Sequence, residues 1–567
     1  MSARKPYPDN IFGGVNQPTK GARYHREHAL GIHHFSFHHP YPTIENQPIL
    51  SWVATSSDHH FQKVTAIYTT DDWQNSTTLD YNKTGTQWDT VAWTWQTHWQ
   101  AQFPALKTGQ VLRYQVFGTQ ASGKTIYADN QATNAKDATE YAIYADPNPE
   151  PPEWSNTARV YQIFVDRFKR GGGEPWLQTQ NLHAPFGGNL RGIIEQLAYI
   201  KDLGFNTIWL TPIFKTPSHH GYDTTDYLSI EPRFGTKEDL RELLDQAHSL
   251  DMRVILDFVA NHVSNQHPIF KRALADPKAP ERDWFRWKRW PHYQTFGKVK
   301  SMPKLNLDFG SPARAHLLEV AQYWLNFGVD GYRLDHANGP DRAFWVDFRR
   351  ACREVKPDAW LFAEVVMPPD AQASYLGSFD GTLDFMTCQA LRESFARHSW
   401  EIAQLANYLE SYPKQFPANF SRPSFIDNHD MNRFLFTAEG SQKALHAALS
   451  LLYMMPGQPI IYAGTEQNIS QTQSIHEKGS MGFDECRLPM DWSEPETETL
   501  RLIKNLNHQR SKLSWLKNAD WTITELDSKN NAATLEARNG QDCLEISIIL
   551  KAGHEQVHVK PCEHDKQ

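Results

Sequence analysis

The sequence predicts an α/β protein built on a TIM (β/α)8 barrel, with an insertion after the third strand, an N-terminal β-sandwich and a small C-terminal β-domain. Three observations predict it. Eight short apolar runs follow residue 155, at 160–165, 207–210, 254–258, 331–334, 360–363, 379–385, 424–426 and 460–462, with amphipathic helical patterns such as 237–248 and 313–327 between most of them. Four apolar stretches end in a carboxylate with polar company: DFVANH from Asp257, GYRLDHAN through Asp335, LFAEV through Glu364 and FIDNHD up to Asp430. On both sides of this region the pattern changes to period two, the mark of antiparallel sheet.

The N-terminal arm at 1–30 shows no readable pattern. Over 31–147 apolar residues alternate in short runs (Leu50, Trp52, Ala54; Val91, Trp93, Trp95; Leu112, Tyr114, Val116) separated by turn residues, which predicts the sandwich. DPNPEPPE, from Asp146 to Glu153, is a stiff linker because repeated prolines fix φ and remove ladder donors. The barrel takes 155–517. Between Asn261 and Gly328 some 66 residues exceed a simple βα connection and carry WFRWKRW at 284–290 and MPKLNLDF from Met302. Long connections above the catalytic face of a barrel usually serve function, so 263–310 is read as an insertion domain. Alternation returns at 521–526, 533–537, 543–550 and 557–559, giving the C-terminal β-domain at 518–567.

A buried strand gains nothing by ending in an unpaired acid, so three acids converging from separate strands imply chemistry rather than packing. Composition narrows the partner. A net charge of −8 without a long basic run opposes nucleic acid, leaving a neutral or small ligand. Aromatic residues make up 12% of the chain, with 19 Trp, and aromatic faces suit sugar rings as well as core packing. Trp284, Trp287 and Trp290 divide evenly between those uses. Five scattered cysteines (Cys352, Cys388, Cys486, Cys543, Cys562) suggest neither a disulfide framework nor a zinc site and fit a reducing compartment. With no apolar leader and no stretch of eighteen apolar residues, the expectation is a cytoplasmic protein away from membranes. His25, His28, His33, His34, His38 and His39 lack accompanying ligands at metal-site spacing and are read as a solvated loop and strand edge. Gly187 and Gly188 belong to a turn, since no phosphate-binding fingerprint follows them.

Several strings then appear in one order: VYQIFVDRF, GFNTIWLTPIF, HHGYDTTDY, DFVANH, GYRLDHAN, AEV, DNHD and PGQPIIYAGTE. Together they make the chain resemble the α-amylase family of glycoside hydrolases over roughly 155–515. Glycoside hydrolysis needs one carboxylate at the anomeric carbon and a second, protonated carboxyl for the leaving oxygen, about 5–5.5 Å apart when configuration is retained. Asp335 and Glu364 end adjacent predicted strands. Period two puts Arg333 beside Asp335, where a fixed cation would keep a nucleophile ionised. Glu364 follows Trp360, Leu361, Phe362 and Ala363, an apolar approach expected to keep its carboxyl protonated near neutrality, as a general acid requires. The resemblance assigns the same two roles and adds Asp430 as the acid that grips sugar hydroxyls. It also implies substrate binding by Tyr222, Asp257, His262, Arg333, His429, Arg433 and Asn338.

MPKLN at 302–306 is similar to the signature of the neopullulanase, cyclomaltodextrinase and maltogenic amylase group, which carries an N-terminal sandwich used for carbohydrate binding or dimerisation. The resemblance therefore implies a retaining α-glucan hydrolase acting on cyclodextrins, malto-oligosaccharides or pullulan, with a homodimer through the sandwich left open. A general α-amylase, a glucosyl- or maltosyltransferase and a non-catalytic sugar-binding subunit are the alternatives. Two departures stand out. The group reads DVANE where this chain has Asp335-His336-Ala337-Asn338-Gly339, and its calcium loop is replaced by Lys169-Arg170-Gly171-Gly172-Gly173, which offers no carboxylate to a hard cation. No cofactor is required on this reading, no metal ligand is assigned, and calcium stays open.

Overall fold

The computed structural model describes residues 31–562 apart from 35–37, 58, 90–93, 418 and 494–495, so the predicted arm with His25 and His28 lies outside the described residues. In the N-terminal region, Ile49–Ser56 pairs with Thr94–Phe103, and Phe61–Thr69 pairs with Val111–Gln120, all antiparallel. The long strand Thr77–Asp89 pairs with Phe61–Thr69 at its start and with Thr94–Phe103 further on, joining the two layers. Alternate residues turn inward, and Ile49, Val53, Val64, Ala66, Leu112 and Val116 form the core between the layers. The histidine reading needs correction here. His33 and His34 are buried, and the His34 ring bonds the Tyr114 hydroxyl at 2.6 Å and the Trp52 carbonyl at 2.7 Å. His33 lies in the short strand Ile32–His33 and His38–His39 forms another, both paired with Ile49–Ser56.

Seven parallel strands make the central sheet, in the order Gly381–Thr382, Trp360–Ala363, Gly331–Asp335, Arg253–Val259, Thr207–Leu210, Val160–Ile163, Ile460–Tyr462. The predicted seventh strand, at 424–426, is not a regular strand. The circle closes instead through single bridges from Gly381 to Ser421 and from Ser424 to Pro459, because Pro423 and Pro459 cannot donate to a ladder. The predicted run at 379–385 is likewise reduced to two residues. Gly331 opens the fourth barrel strand at φ 156°, and a Cβ there would lie 2.0 Å from the Trp360 carbonyl oxygen, so only glycine fits.

The sandwich docks on the barrel helix Arg342–Val355 through buried charge. Arg113, 1% exposed, donates to both Asp347 oxygens at 2.8 and 3.0 Å and to Asp72 at 2.8 Å, while Arg314 donates to Asp347 from the barrel side. Arg349 reaches Asp146 and Asp380, each at 2.6 Å, and the Pro149 carbonyl at 2.9 Å. The proline linker is thus tied to the barrel along its length.

In the insertion, Phe270 packs edge-on against Phe285 and Tyr293 and parallel to Trp287 across the small hairpin Trp287–Arg289 and His292–Tyr293. Trp284 lies against His316, and Trp287 and Trp290 donate to the carbonyls of Arg282 and Ala273. All three tryptophans pack the insertion. At the C-terminus, Asp520–Asp527, Ala532–Asn539, Asp542–Ile549 and Gln556–Pro561 form an antiparallel meander whose Leu535, Ala537, Ile546 and Ile548 join the barrel's core. Its last pair of strands corrects the cysteine reading. Leu544 faces Pro561, so the next residues out, Cys543 and Cys562, meet at 5.4 Å between Cα atoms and are disulfide-bonded, while Cys352, Cys388 and Cys486 are buried thiols. Among the described residues no helix is long and apolar enough to cross a membrane.

Candidate active site

The acid-bearing strand ends meet at one face of the barrel, over a cavity of about 620 Å³ lined by Tyr222, His262, Asp335, Glu364 and Asp430. Asp335 ends its strand two residues after Arg333, so both side chains leave the same side of the ribbon. The Arg333 guanidinium, fully buried, donates from Nη1 to Asp335 at 2.9 Å and to Asp257 at 2.9 and 3.0 Å, and from Nη2 to Glu364 at 2.7 Å. One cation therefore spans the two carboxylates predicted to react. The His336 backbone N–H adds a second donor to the same Glu364 oxygen, at 3.0 Å.

The surroundings of the two acids differ in detail from what the sequence suggests. The apolar approach to Glu364 ends in two N–H donors, and the cation expected to serve Asp335 is shared with two other acids. Burial lifts the Asp335 carboxyl well above the usual carboxylate range; Arg333 opposes this, while Glu364 and Asp257 add to it. Asp335 therefore holds a proton to higher pH than a free aspartate does.

Asp430 is set differently. Burial alone would raise its carboxyl, but His429, 3.1 Å away, and Arg487, donating at 2.7 Å, hold it well below the usual range. Arg487 also donates to the His429 carbonyl at 2.8 Å, and Asp484 beside it joins the His183 and His219 rings at 2.7 and 2.9 Å. Tyr222 lies parallel to His429, within 4°, and its hydroxyl reaches both that ring and Asp257, the latter at 3.0 Å. Gln162 completes the chain at His429 Nδ1, 2.6 Å away. His262 bonds the Tyr222 carbonyl at 3.1 Å, stacks on Phe296, and is held down at about 3 by burial, so it is a neutral ring.

The remaining predicted residues fall into two sets. Asp257, Arg333 and His429 lie beneath the cavity wall as supports, each essentially unexposed. Arg433 and Asn338 do not come to the cavity. Arg433 donates to the Ala463 and Cys486 carbonyls and covers the Tyr462 ring at 3.7 Å, and Asn338 is exposed. The sequence reading missed Arg487, Asp484, Phe296 and the His336 ring. For Arg487 and Asp484 no local signal existed, since the loop after the eighth strand has no fixed spacing from the acids it serves.

The MPKLN segment ties the insertion to this face. Met302 lines the cavity, Lys304 Nζ donates to the Gly339 carbonyl at 2.9 Å, and the Leu305 N–H donates to the Asn261 carbonyl at 3.0 Å. At Gly339, where the group carries an acid, a Cβ would fall 2.3 Å from Asn261 Oδ1, so the altered sequence goes with a closer packing. At the segment that stands in place of the calcium loop, neighbouring oxygens are engaged by N–H groups. The Gly171 and Gly172 N–H groups occupy the Asn189 and Glu195 oxygens at 3.1 and 2.7 Å, and Lys169 Nζ stands 3.3 Å from Glu195. Among the described residues, one group of side chains gathers closely enough for a metal, Glu536 with Cys543 and Cys562, and both cysteines are in the disulfide.

A (β/α)8 barrel with paired carboxylates on one guanidinium at its C-terminal face is the arrangement of a glycosidase. Comparison agrees, the profile described as "Alpha amylase, catalytic domain" matching residues 162–505. The chain belongs to the α-amylase family of glycoside hydrolases. It is 42% identical over 352 residues to "Alpha-amylase 2" of Dictyoglomus thermophilum, a match spanning 62% of each chain. It is 33% identical over 405 residues to "Neopullulanase 2" of Thermoactinomyces vulgaris, spanning 67% of each. A solved "Cyclomaltodextrinase" shares the fold at TM-score 0.66 and 23% identity, over 92% of this chain and 91% of that one. The cyclic alpha-maltosyl-(1-->6)-maltose hydrolase of Arthrobacter globiformis, in complex with that sugar, reaches TM-score 0.65 and 28% identity, over 70% of this chain and 92% of that one.

Proposed function

We propose that this chain is a retaining α-glucan hydrolase of the cyclomaltodextrinase or neopullulanase type, cleaving α-1,4-glucosidic bonds of cyclodextrins, malto-oligosaccharides or pullulan. The observation that carries the reading is the Arg333 guanidinium reaching both Asp335 and Glu364 at the cavity wall. A pair bridged by one planar fork suits the short separation of retention, about 5–5.5 Å, better than the wider gap that admits a water. Asp335 attacks the anomeric carbon as the glycosidic bond breaks, and Glu364 passes its proton to the departing oxygen. The resulting ester is opened by water, which Glu364 deprotonates, and its carboxyl proton is thereby restored. A sugar hydroxyl in place of water gives transglycosylation. Asp430, kept ionised by His429 and Arg487, accepts from sugar hydroxyls, and the Tyr222 ring carries the sugar's C–H face.

The assembly and compartment belong to the same proposal. A homodimer through the sandwich is part of the reading, and the exposed Trp52 and Trp95 suit such a contact. A cytoplasmic setting is supported by the relative named "Intracellular maltogenic amylase" of Bacillus subtilis, 32% identical over 404 residues. The Dictyoglomus relative's name favours a general α-amylase as the second reading. Incubation with β-cyclodextrin, pullulan and soluble starch side by side, with product analysis, decides between them: faster turnover of cyclodextrin supports the proposal, and faster turnover of starch supports the α-amylase.

A further inference from the structure

One wall of the catalytic cavity is apolar, and it belongs to the insertion. Phe296, Val299 and Met302 line the cavity from a turn that closes on itself: the Phe296 N–H donates to the Met302 carbonyl and the Val299 N–H to the Phe296 carbonyl, each at 2.9 Å, and the Met302 N–H to the Val299 carbonyl at 3.0 Å. Lys298 and Lys300, on either side of Val299, are exposed and stand outside the cavity lining. The wall sits beside the proton donor. The Phe296 ring stacks on His262 at 4.7 Å and meets His336 edge-on at 4.8 Å, and His336 is the residue whose backbone N–H holds Glu364. Charged and hydrogen-bonding groups gather instead around Asp430, where Arg487 and Asp484 tie in the His183 and His219 rings. On the Glu364 side the turn after Asp335 brings His336, Ala337, Asn338 and Gly339, with no acid among them, and Lys304 occupies the Gly339 carbonyl at 2.9 Å. Val299 is 40% exposed, and Met481, which lines the same cavity, 36%. Neither side chain can donate to a hydroxyl oxygen, so what each gains from a ligand is removal of apolar surface from water.

We propose that this wall lets the leaving-group side of the site take an apolar alcohol in place of a sugar, so that the protein transfers a glycosyl unit from an α-glucan to a linear primary alcohol and cleaves alkyl α-glycosides by the reverse step; the proposal rests on the α-glucan reading of the active site. The alcohol oxygen attacks the anomeric carbon of the Asp335 ester. The bond from that carbon to the Asp335 oxygen breaks, its electron pair returns to the carboxylate, and the alcohol proton passes to the Glu364 carboxylate. The product is an alkyl α-glycoside, with its chain along Phe296, Val299 and Met302. Each methylene that the wall covers favours binding, whereas the reactivity of the hydroxyl itself hardly changes along a series of primary alcohols, so chain length reads the wall directly.

The test is incubation of the full chain with maltotriose and an equal concentration of ethanol, 1-butanol or 1-hexanol. Chromatography of the products gives the partition of the glycosyl unit between alcohol and water, a ratio from which any general loss of turnover cancels. Transfer relative to hydrolysis is expected to rise about threefold or more from ethanol to 1-butanol, less than full burial of two methylenes would give, and to rise again with 1-hexanol. Val299→Ser, at an exposed position of the turn, and Met302→Gln should each flatten that rise. A partition that does not change with chain length, or a rise that neither variant alters, overturns the proposal. So does the absence of alkyl glycoside with every alcohol while maltotriose is hydrolysed. Failure of the α-glucan reading looks different: maltotriose then yields no sugar even without alcohol, and this proposal falls with it.

Discussion

Arg333 decides more of this site than any acid it touches. Three carboxylates depend on it inside a wall that excludes water, so Arg333→Met should lower the urea midpoint by the equivalent of about 3–5 kcal/mol, the usual loss when one partner of a buried ion pair is removed. An unchanged midpoint would show that the acids find other partners. Asp335→Asn and Glu364→Gln, which keep shape and hydrogen bonds, should unfold like the unaltered chain yet lose turnover by about three orders of magnitude or more. The pH dependence follows from Asp335. Its carboxyl is raised in the fold, mainly by burial, so it takes a proton at a higher pH than a free aspartate and cannot attack while protonated. The acid limb of kcat/KM should therefore lie above the ordinary aspartate value of about 3.9, and a limb at or below it contradicts the raised carboxyl. Stability has its own pH signature. His262 is held down at about 3 by burial while its unfolded counterpart titrates near 6.5, so the unfolded chain binds more protons between these values and urea stability should fall as pH drops through that window. The reacting acids were legible because a strand has little other reason to end in one. The His336 conformation, at φ 41° with its N–H on Glu364, was not, since nothing local in Asp335-His336-Ala337 announces a left-handed turn.

Elements were read best where period and burial agree. The mainly apolar runs at 207–210 and 360–363 became strands with the predicted ends, because parallel strands covered on both faces carry near-continuous hydrophobic sequence. The run at 424–426 had the same apolar character, but the prolines flanking the closure overruled it, a tertiary demand that composition does not encode. In the sequence the WFRWKRW string stays open between sugar platform and core because ring content alone does not separate the two; in the fold Trp287 joins the Phe270 cluster and Trp284 packs on His316. The cysteines were misjudged because odd number and irregular spacing say nothing of two residues brought opposite each other by a hairpin. The loop closed by Cys543 and Cys562 spans 19 residues, so reduction should cost about 3 kcal/mol, seen as earlier unfolding, with no change in turnover. Loss of turnover on reduction would tie the last hairpin to the site instead.

At the scale of the molecule, the barrel arranges the acids, the insertion and the loop after the eighth strand build the rim, and the sandwich is clamped to the barrel by Arg113 on Asp347. Arg113→Met should loosen that clamp and separate sandwich unfolding from barrel unfolding in a calorimetric scan; a single unshifted transition would mean that apolar contacts hold the two together. Order along the chain revealed the whole architecture, whereas the contacts between its parts, made by residues hundreds of positions apart, could not be read from any local pattern. What joins the scales is one claim, that Asp335 and Glu364 on a shared guanidinium work as a retaining pair on an α-glucan. The most direct measurement is proton NMR of the first product released from maltotriose, taken before mutarotation. The account predicts the α-anomer, and initial release of the β-anomer would contradict it.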